Sequence, residues 1–126
     1  MAYEKPIYSD FGMTQWHWLV RHRGRLKLGK NTQIAPFTVI DAMNGVEIQD
    51  NVKVGFSSVI ISHSTVDGRT GPVVLKKNCK IGANTTILPN VTVGENSVVG
   101  ANSLVNRDIP PNEMWFGSPA RFHKKL

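Results

Sequence analysis

The sequence predicts an all-β protein coiled from short strands, and two repeating patterns carry that prediction. Aliphatic residues recur every six positions, and the fourth residue of each six-residue repeat is often an Asn. A period of six fits neither the 3.6-residue repeat of an amphipathic helix nor the plain alternation of a sheet strand. Each hexad therefore predicts one brief strand and one corner, stacked into a solenoid. The aliphatic positions are Leu28, Ile34, Ile40, Ile48, Val54, Ile60, Leu75, Ile81, Ile87, Val93, Val99 and Val105.

Asparagine predicts the corners of this coil. Apart from Gly, Asn is among the residues that best tolerate a positive φ, which a tight corner requires. It fills the fourth hexad position at Asn31, Asn51, Asn78, Asn84, Asn90, Asn96 and Asn102. Mostly small residues follow at the fifth position, and Cys79 is one of them. We interpret Cys79 as packed inside the coil and not as a nucleophile.

Residues 1–27 precede the repeats and are predicted to cap the coil. A solenoid needs its open end covered, and Trp16 and Trp18 would cover it. The same stretch is rich in Arg and Lys, so nucleic-acid binding by stacking and phosphate contact is the alternative, which we consider the weaker one. The repeat region is expected over 28–110 and a C-terminal tail over 111–126.

Length, charge and cysteine content restrict the classes of function. The 126 residues allow one domain, and a net charge of +6 suits an anionic partner such as nucleic acid, a membrane surface or a phosphorylated small molecule. The sequence has no apolar run of signal-peptide length and none near the roughly 20 residues of a membrane span. A single cysteine fits a reducing compartment. We expect a cytoplasmic protein that does not enter membranes.

The hexad rhythm breaks directly after His63. This residue is the fourth of the hexad that begins at Ile60, and the next aliphatic residue in phase, Leu75, comes fifteen positions after Ile60. Twelve positions would keep the rhythm. The intervening "DGRTGP" has turn composition, so a loop excursion is predicted over 64–74. Loops that project from rigid scaffolds often carry binding residues.

Three hexads and the C-terminal stretch support a resemblance to a known family. The hexads "IGANTT", "VGENSV" and "VGANSL", followed by "RDIPPNEMWFGSPAR", resemble the hexapeptide-repeat acyltransferases, especially the short sugar O-acetyltransferases, over Leu28 to Leu126. The resemblance implies a left-handed parallel β-helix of triangular cross-section with three hexads per coil. It also implies a homotrimer that binds acyl-CoA between subunits.

The resemblance implies that His63 is the catalytic base, because similar enzymes carry a histidine before a "GP" return to the coil. The ordinary pKa of a histidine lies closest to neutral among side chains, which suits proton removal from a hydroxyl. The alternative is a histidine that only caps a corner. No second His occupies a ligand-like hexad position beside it, so no metal site is predicted.

The resemblance also implies two elements of the donor site. The backbone N–H of Ala83 would stabilise an oxyanion, and Gly82 would keep the wall thin for the thioester. The wall of the CoA groove is expected at Gly100, Ala101 and Ser103. Four basic residues near the C-terminal end would bind the phosphates of CoA. The alternative is that they belong to a basic tail kept in solvent. These residues are Arg107, Arg121, Lys124 and Lys125.

Two residues have open roles at the acceptor site. Asp41 matches an acidic position that lines the acceptor site in similar enzymes, or it caps the turn at the two-residue slip before Ile48. Lys80 stands where many relatives carry Trp, so it either contacts the acceptor or belongs to a solvated face.

Together with His63, the resemblance thus implies an acetyl-CoA-dependent O-acetyltransferase that acts directly on a hydroxyl of a sugar or similar small acceptor. An N-acetyltransferase for an amino sugar or nucleotide-linked sugar is the enzymatic alternative. A non-catalytic β-helix scaffold is the alternative from another class. Affinity for CoA distinguishes an enzyme from a scaffold, because a scaffold does not need a groove that binds CoA.

Overall fold

The computed structural model of the protein describes residues 4–126, so the first three residues of the predicted capping segment lie outside the described residues. Within these residues the chain forms short strands and one 3-10 turn, over Arg23–Arg25. In chain order the strands are β1 (Leu19–Arg21), β2 (Leu26–Leu28), β3 (Gln33–Ile34), β4 (Val39–Asp41), β5 (Val46–Ile48), β6 (Lys53–Val54), β7 (Val59–Ile61), β8 (Val73–Leu75), β9 (Lys80–Ile81), β10 (Thr86–Ile87), β11 (Thr92–Val93), β12 (Val98–Val99), β13 (Leu104–Val105), β14 (Glu113–Gly117) and β15 (Ala120–Lys125).

Three sheets form the faces of the coil. Sheet A contains β1, β4, β7, β10 and β13; sheet B contains β2, β5, β8 and β11; sheet C contains β3, β6, β9, β12, β14 and β15. Consecutive strands from β2 to β13 enter sheets B, C and A in turn, and strands within a sheet pair in parallel apart from β15. The predicted parallel β-helix of hexapeptide repeats is therefore confirmed.

The aliphatic columns of the sequence stack in register inside the coil. In sheet A, for example, Ile40, Ile60, Ile87 and Val105 pair with one another from strand to strand. All the predicted column residues are buried except Leu28, which is half-buried. Each fully buried side chain contributes roughly 1.5 to 3 kcal/mol, so the columns are the main source of stability.

Cys79 also lies in the interior, as the sequence predicts. It is fully buried, and burial raises the pKa of its thiol to about 12. The thiolate is the reactive form of cysteine, so this side chain packs and does not act as a nucleophile.

The asparagine corners are confirmed. All seven predicted asparagines have a positive φ, between 57° and 67°. Small hydroxyl residues support one edge of the coil from inside, because Thr38, Ser58 and Thr85 each donate to a glycine carbonyl of the neighbouring coil at 3.2 to 3.3 Å. These bonds satisfy polar groups that would otherwise be buried without a partner.

Both ends of the coil are covered by the chain itself. At the N-terminal end, β1 already pairs in parallel with β4, and Trp18 is only 2% exposed within the core. At the other end, β14 joins sheet C and folds back onto β15, while the guanidinium of Arg107 lies 5.1 Å from the ring of Trp115. Within residues 4–126, no helix is long and apolar enough to span a membrane.

Candidate functional site

The candidate site residues lie at two corners that border sheet A. At the C/A corner the chain passes from sheet C to sheet A, as between β9 and β10, where Ala83 lies. At the A/B corner it passes from sheet A to sheet B, as between β7 and β8, where His63 lies. The width of sheet A separates the two corners.

The excursion after β7 is a short hairpin at the A/B corner. His63 pairs with Thr70 in an antiparallel bridge, and the Ser64 and Gly71 amides donate to Arg69 and Ser62 carbonyls at 2.8 and 3.0 Å. His63 is not among the described residues with a positive φ. His63 therefore does not share the left-handed backbone of the Asn corners, because it pairs with Thr70 in the hairpin. Its imidazole is half-buried.

Arg69 ties the hairpin to the two coils that follow. Its Nε donates to the Pro89 carbonyl at 2.8 Å and its Nη2 donates to the Asn106 carbonyl at 2.9 Å. Within the hairpin, hydrogen bonds from the Arg69 amide and the Ser64 hydroxyl lower the pKa of Asp67 below its ordinary value. The loop that follows His63 is therefore held in one arrangement. The sequence shows Arg69 only as a lone cation among turn residues.

Replacing Arg69 by Ala should loosen this hairpin. Loss of two charge-assisted bonds to carbonyls should lower the free energy of unfolding by about 1 to 3 kcal/mol, since Arg69 is half-buried and not fully enclosed. Hydrogen exchange of the amides over residues 64–72 should accelerate more than that of the coil. Arg69→Lys keeps the charge but cannot span both carbonyls, so it should behave like the Ala variant. Protection equal to wild type in either variant would contradict the proposed role.

Asp41 lies one coil before the hairpin at the same A/B corner. It pairs in register with Ile61, and its Oδ1 accepts a hydrogen bond from the Met43 amide at 3.1 Å. The cap that the sequence offered as one role for Asp41 is therefore present. The Ser62 hydroxyl donates to the Asp41 carbonyl at 2.8 Å and accepts from the Asn44 amide at 2.8 Å. The Asp41 turn and the residue before His63 thus form one bonded unit.

The C/A corner is built from small residues stacked without side chains between them. A Cβ at Gly55 would lie 2.5 Å from the Ala83 nitrogen, and one at Gly82 would lie 2.5 Å from the Ala101 nitrogen. A Cβ at Gly100 would instead meet a side chain, since it would lie 2.8 Å from the Cβ of Phe116. Glycine is therefore required for this close approach of coils, which leaves a thin wall.

Backbone donors remain available at this corner. Within residues 4–126, the amides of Ala83 and Ala101 donate no hydrogen bond, although their neighbours Asn84 and Asn102 donate to the preceding coil at 2.8 and 2.9 Å. Lys80 precedes the corner on sheet C, where its exposed side chain stands in register with that of Lys53. The amide predicted to act as an oxyanion donor is thus one of three equivalent groups among the described residues, because the Phe56 amide one coil earlier also donates no hydrogen bond.

Two expectations for the CoA groove need correction. Ser103 is 2% exposed, and its hydroxyl donates to the Gly100 carbonyl at 2.7 Å and accepts from the Gly117 amide at 3.1 Å. It therefore supports the corner from inside and does not line its outer surface. The predicted cations are also dispersed. Arg121 pairs with Phe116 beside the C/A corner, whereas Lys124 pairs with Met114 farther along the strand and Arg107 follows β13.

The structure does not bring His63 and Ala83 together within one chain. The chain takes six residues, with β7 between them, to pass from Ser57, a corner residue with φ 57°, to His63. That path corresponds to about 20 Å, far beyond hydrogen-bond reach of one reacting group. With three hexads per coil, the hexads of His63 and Ala83 fall on different faces, so the two residues belong to different corners. Their separation could therefore have been predicted from the sequence.

A cavity of about 1300 Å³ lies between the N-terminal segment and the first strands of sheet C. Trp16, Ala35, Pro36, Lys53 and Gly55 are among the residues that line it. Neither His63 nor Ala83 lines this cavity. The cavity was not predicted, because it depends on how the segment before the repeats folds over the coil. Residues 4–126 contain no group of three or more His, Cys, Asp or Glu side chains that could hold a metal ion.

Comparison with known proteins places the chain among hexapeptide-repeat transferases. Residues 72–107 match the family described as bacterial transferase hexapeptide (six repeats). YvoF of Bacillus subtilis (strain 168), a provisionally assigned acetyltransferase, is 36% identical over 109 residues, which cover 83% of this chain and 63% of that protein.

Two solved structures share the architecture closely. A hexapeptide-repeat-containing acetyltransferase of Vibrio cholerae O1 biovar eltor, in complex with acetyl-coenzyme A, has a TM-score of 0.81 at 30% identity, covering 86% of this chain and 64% of that chain. A maltose O-acetyltransferase of Clostridium difficile 630 has a TM-score of 0.81 at 28% identity, covering 87% and 64%. The chain spans a little under two thirds of the length of these relatives.

Proposed function

The chain belongs to the hexapeptide-repeat transferase family, and on that premise we propose that it transfers an acetyl group from acetyl-CoA to a hydroxyl of a sugar or similar small acceptor. The main support is the glycine-walled C/A corner, which lies in a coil similar to that of the Vibrio cholerae acetyltransferase in complex with acetyl-CoA. The maltose O-acetyltransferase of similar fold favours a hydroxyl acceptor.

The active unit is a homotrimer whose site lies between copies. His63 and Ala83 lie at opposite corners of sheet A, so one chain cannot supply both to the same reacting atoms. The outer face of sheet A is mainly apolar and half-buried, with residues in register from coil to coil: Leu19, Val39, Val59, Thr86 and Leu104. If three copies turn this face toward a common axis, the A/B corner of each meets the C/A corner of the next.

In this arrangement His63 and Ala83 of adjacent copies have distinct roles. The acceptor oxygen attacks the carbonyl carbon of the thioester while the His63 imidazole takes the hydroxyl proton. The Ala83 N–H donates to the oxyanion that forms. The carbon–sulfur bond then breaks, and the proton passes from the imidazolium to the CoA thiolate. The acetyl group ends on the acceptor oxygen, and it is never attached covalently to the enzyme.

The remaining predicted residues fit around this reaction. Asp41 shares the A/B corner with His63, so its second carboxylate oxygen can bind acceptor hydroxyl groups. Gly82, Gly100 and Ala101 form the wall along which the pantetheine arm lies. Lys80 stands on the sheet C face just before the corner, where it can contact the acceptor or solvent.

The test is binding of acetyl-CoA, followed by detection of acetylated sugars by mass spectrometry. Replacing Arg121 by Ala should weaken acetyl-CoA binding about tenfold or more and reduce its dependence on salt, because Arg121 lies below the glycine wall. Lys124→Ala and Lys125→Ala, made separately, should have smaller effects because these residues lie farther along the strand. If either lysine substitution weakens binding more than Arg121→Ala does, the phosphates lie at the other end of β15. If the wild-type protein has no affinity for CoA, the non-catalytic scaffold is favoured.

A further inference from the structure

The cavity beneath the N-terminal segment is directly connected to the C/A corner. Gly55 lines it, and the backbone of Gly55 stacks on that of Ala83 in the next coil. The adjacent Phe56 carbonyl accepts a hydrogen bond from the Asn84 amide at 2.8 Å. The floor of the cavity therefore lies one coil from the amide that we assign to the oxyanion.

The side of the cavity near Gly55 is apolar. Trp16, Ala35 and Pro36 line it, together with strand residues of the coil interior, Ile34 and Val54. The amide group of Gln15, which also lines the cavity, is already engaged, because it donates to the Lys5 carbonyl at 2.9 Å and accepts from the Ile7 amide at 2.8 Å. Polar residues also line the cavity, and Gln33 and Lys53 are exposed; the others are Glu4, His17, Asn31 and Thr32. The corner residues Ala35, Pro36 and Gly55 thus offer apolar contact, whereas the polar residues line other parts of the cavity.

The direction of the donor follows from the proposed function, on which this inference rests. With its phosphates at Arg121, the donor runs past Gly100 and Gly82, and its thioester carbonyl reaches Ala83. Successive coils are about 4.8 Å apart, so the next step along the same corner is Gly55 and the cavity. Carbon atoms attached to the carbonyl therefore point into apolar space. A volume of about 1300 Å³ is far more than an acetyl group fills.

We propose that this cavity receives an acyl chain longer than acetyl, so that the protein accepts medium-chain acyl thioesters as donors in addition to acetyl-CoA. Trp16 and Pro36 supply the apolar wall of the cavity, and Ala35 determines how far the acyl chain can enter it. The acceptor is the competing occupant. Its hydroxyl groups would need polar partners, which the wall beside Gly55 lacks, so the acyl chain is the better fit.

The direct test is the affinity of the wild-type protein for acyl-CoAs of two to eight carbons, measured by calorimetry without an acceptor. Each methylene that enters the cavity should tighten binding about threefold to fourfold. If no acyl-CoA binds, the proposed function fails as well. If all bind with equal affinity, the cavity is not an acyl site, while the proposed function stands.

Ala35→Phe tests the location of the acyl chain. Phe116 occupies the same column one coil below Gly100, so the backbone of this column can carry a phenyl group. The variant should bind acetyl-CoA within about twofold of wild type and lose the gain from longer chains. Val74→Phe, on the outer face of sheet B, is the matched control and should keep that gain. A selective rise in acceptor KM with unchanged chain-length dependence would assign the cavity to the acceptor and overturn the proposal.

A second variant guards against misfolding of the first. Trp16→Ala removes apolar wall without adding bulk, so the gain per methylene should fall while binding of acetyl-CoA is kept. An undiminished gain in a folded Trp16→Ala protein would show that the acyl chain lies elsewhere.

Discussion

Replacing His63 by Ala should lower turnover by roughly 10² to 10⁴ while acetyl-CoA affinity stays near that of wild type. The reason is that His63 lies at the A/B corner, whereas the donor is assigned to the C/A corner of another copy. The substitution removes the group that takes the hydroxyl proton and leaves the donor wall intact. Steady-state kinetics and calorimetry on the same preparation measure the two effects.

The matched control for this prediction is His63→Gln. Because His63 has extended backbone in a hairpin, and not the left-handed φ of the neighbouring corners, Asn has no special advantage here. Gln keeps a long polar side chain but has no basic nitrogen. It should therefore match the Ala variant in turnover and the wild type in melting temperature. A Gln variant that turns over at the wild-type rate would exclude His63 as the base.

Mixing two inactive variants should restore activity if the site lies between copies. One chain carries His63→Ala and the other Ala83→Pro, which removes the candidate oxyanion N–H. Proline fits this corner because Pro36 already precedes a residue of positive φ, and Gly94 already stacks on Pro111 as Gly55 does on Ala83. In randomly mixed trimers about one quarter of the sites would combine an intact His63 with an intact Ala83.

Coexpression followed by kinetics checks this prediction. Sedimentation should first give about three times the chain mass of 14.0 kDa for both variants alone, so that loss of activity is not loss of assembly. Each variant alone should then be nearly inactive, while the coexpressed mixture recovers about a quarter of wild-type turnover. A site within one chain predicts no recovery, because every chain in the mixture carries a defect.

The stacking of coils was predictable from the sequence because the pattern is local. Whether a residue points inward depends on its place in a hexad, and Asn at the fourth place supplies the positive φ of a corner. These two rules located the buried columns, the corners and the point at which the chain leaves the coil. They also located Cys79 inside.

The candidate site was less predictable, because residues that meet across coils depend on the number of residues per turn. Paired residues in sheet A are 20, 27 and 18 positions apart at Ile40, Ile60, Ile87 and Val105, so a uniform repeat does not give their neighbours. Lys124 and Lys125 were grouped with Arg121 as cations for the CoA phosphates because the three residues are near in sequence. A strand extends by about 3.3 Å per residue, which moves them away from the corner.

The sequence by itself determined the coil, its corners and the residues that chemistry would require. Periodicity sets which side chains are inside, and one histidine beside a broken repeat is a local signal. Tertiary structure alone decided the extended backbone at His63, the Arg69 bonds to two later coils, the inward position of Ser103 and the cavity beside Gly55. Each of these depends on contacts between segments distant in the chain, and such contacts form only when the coils stack.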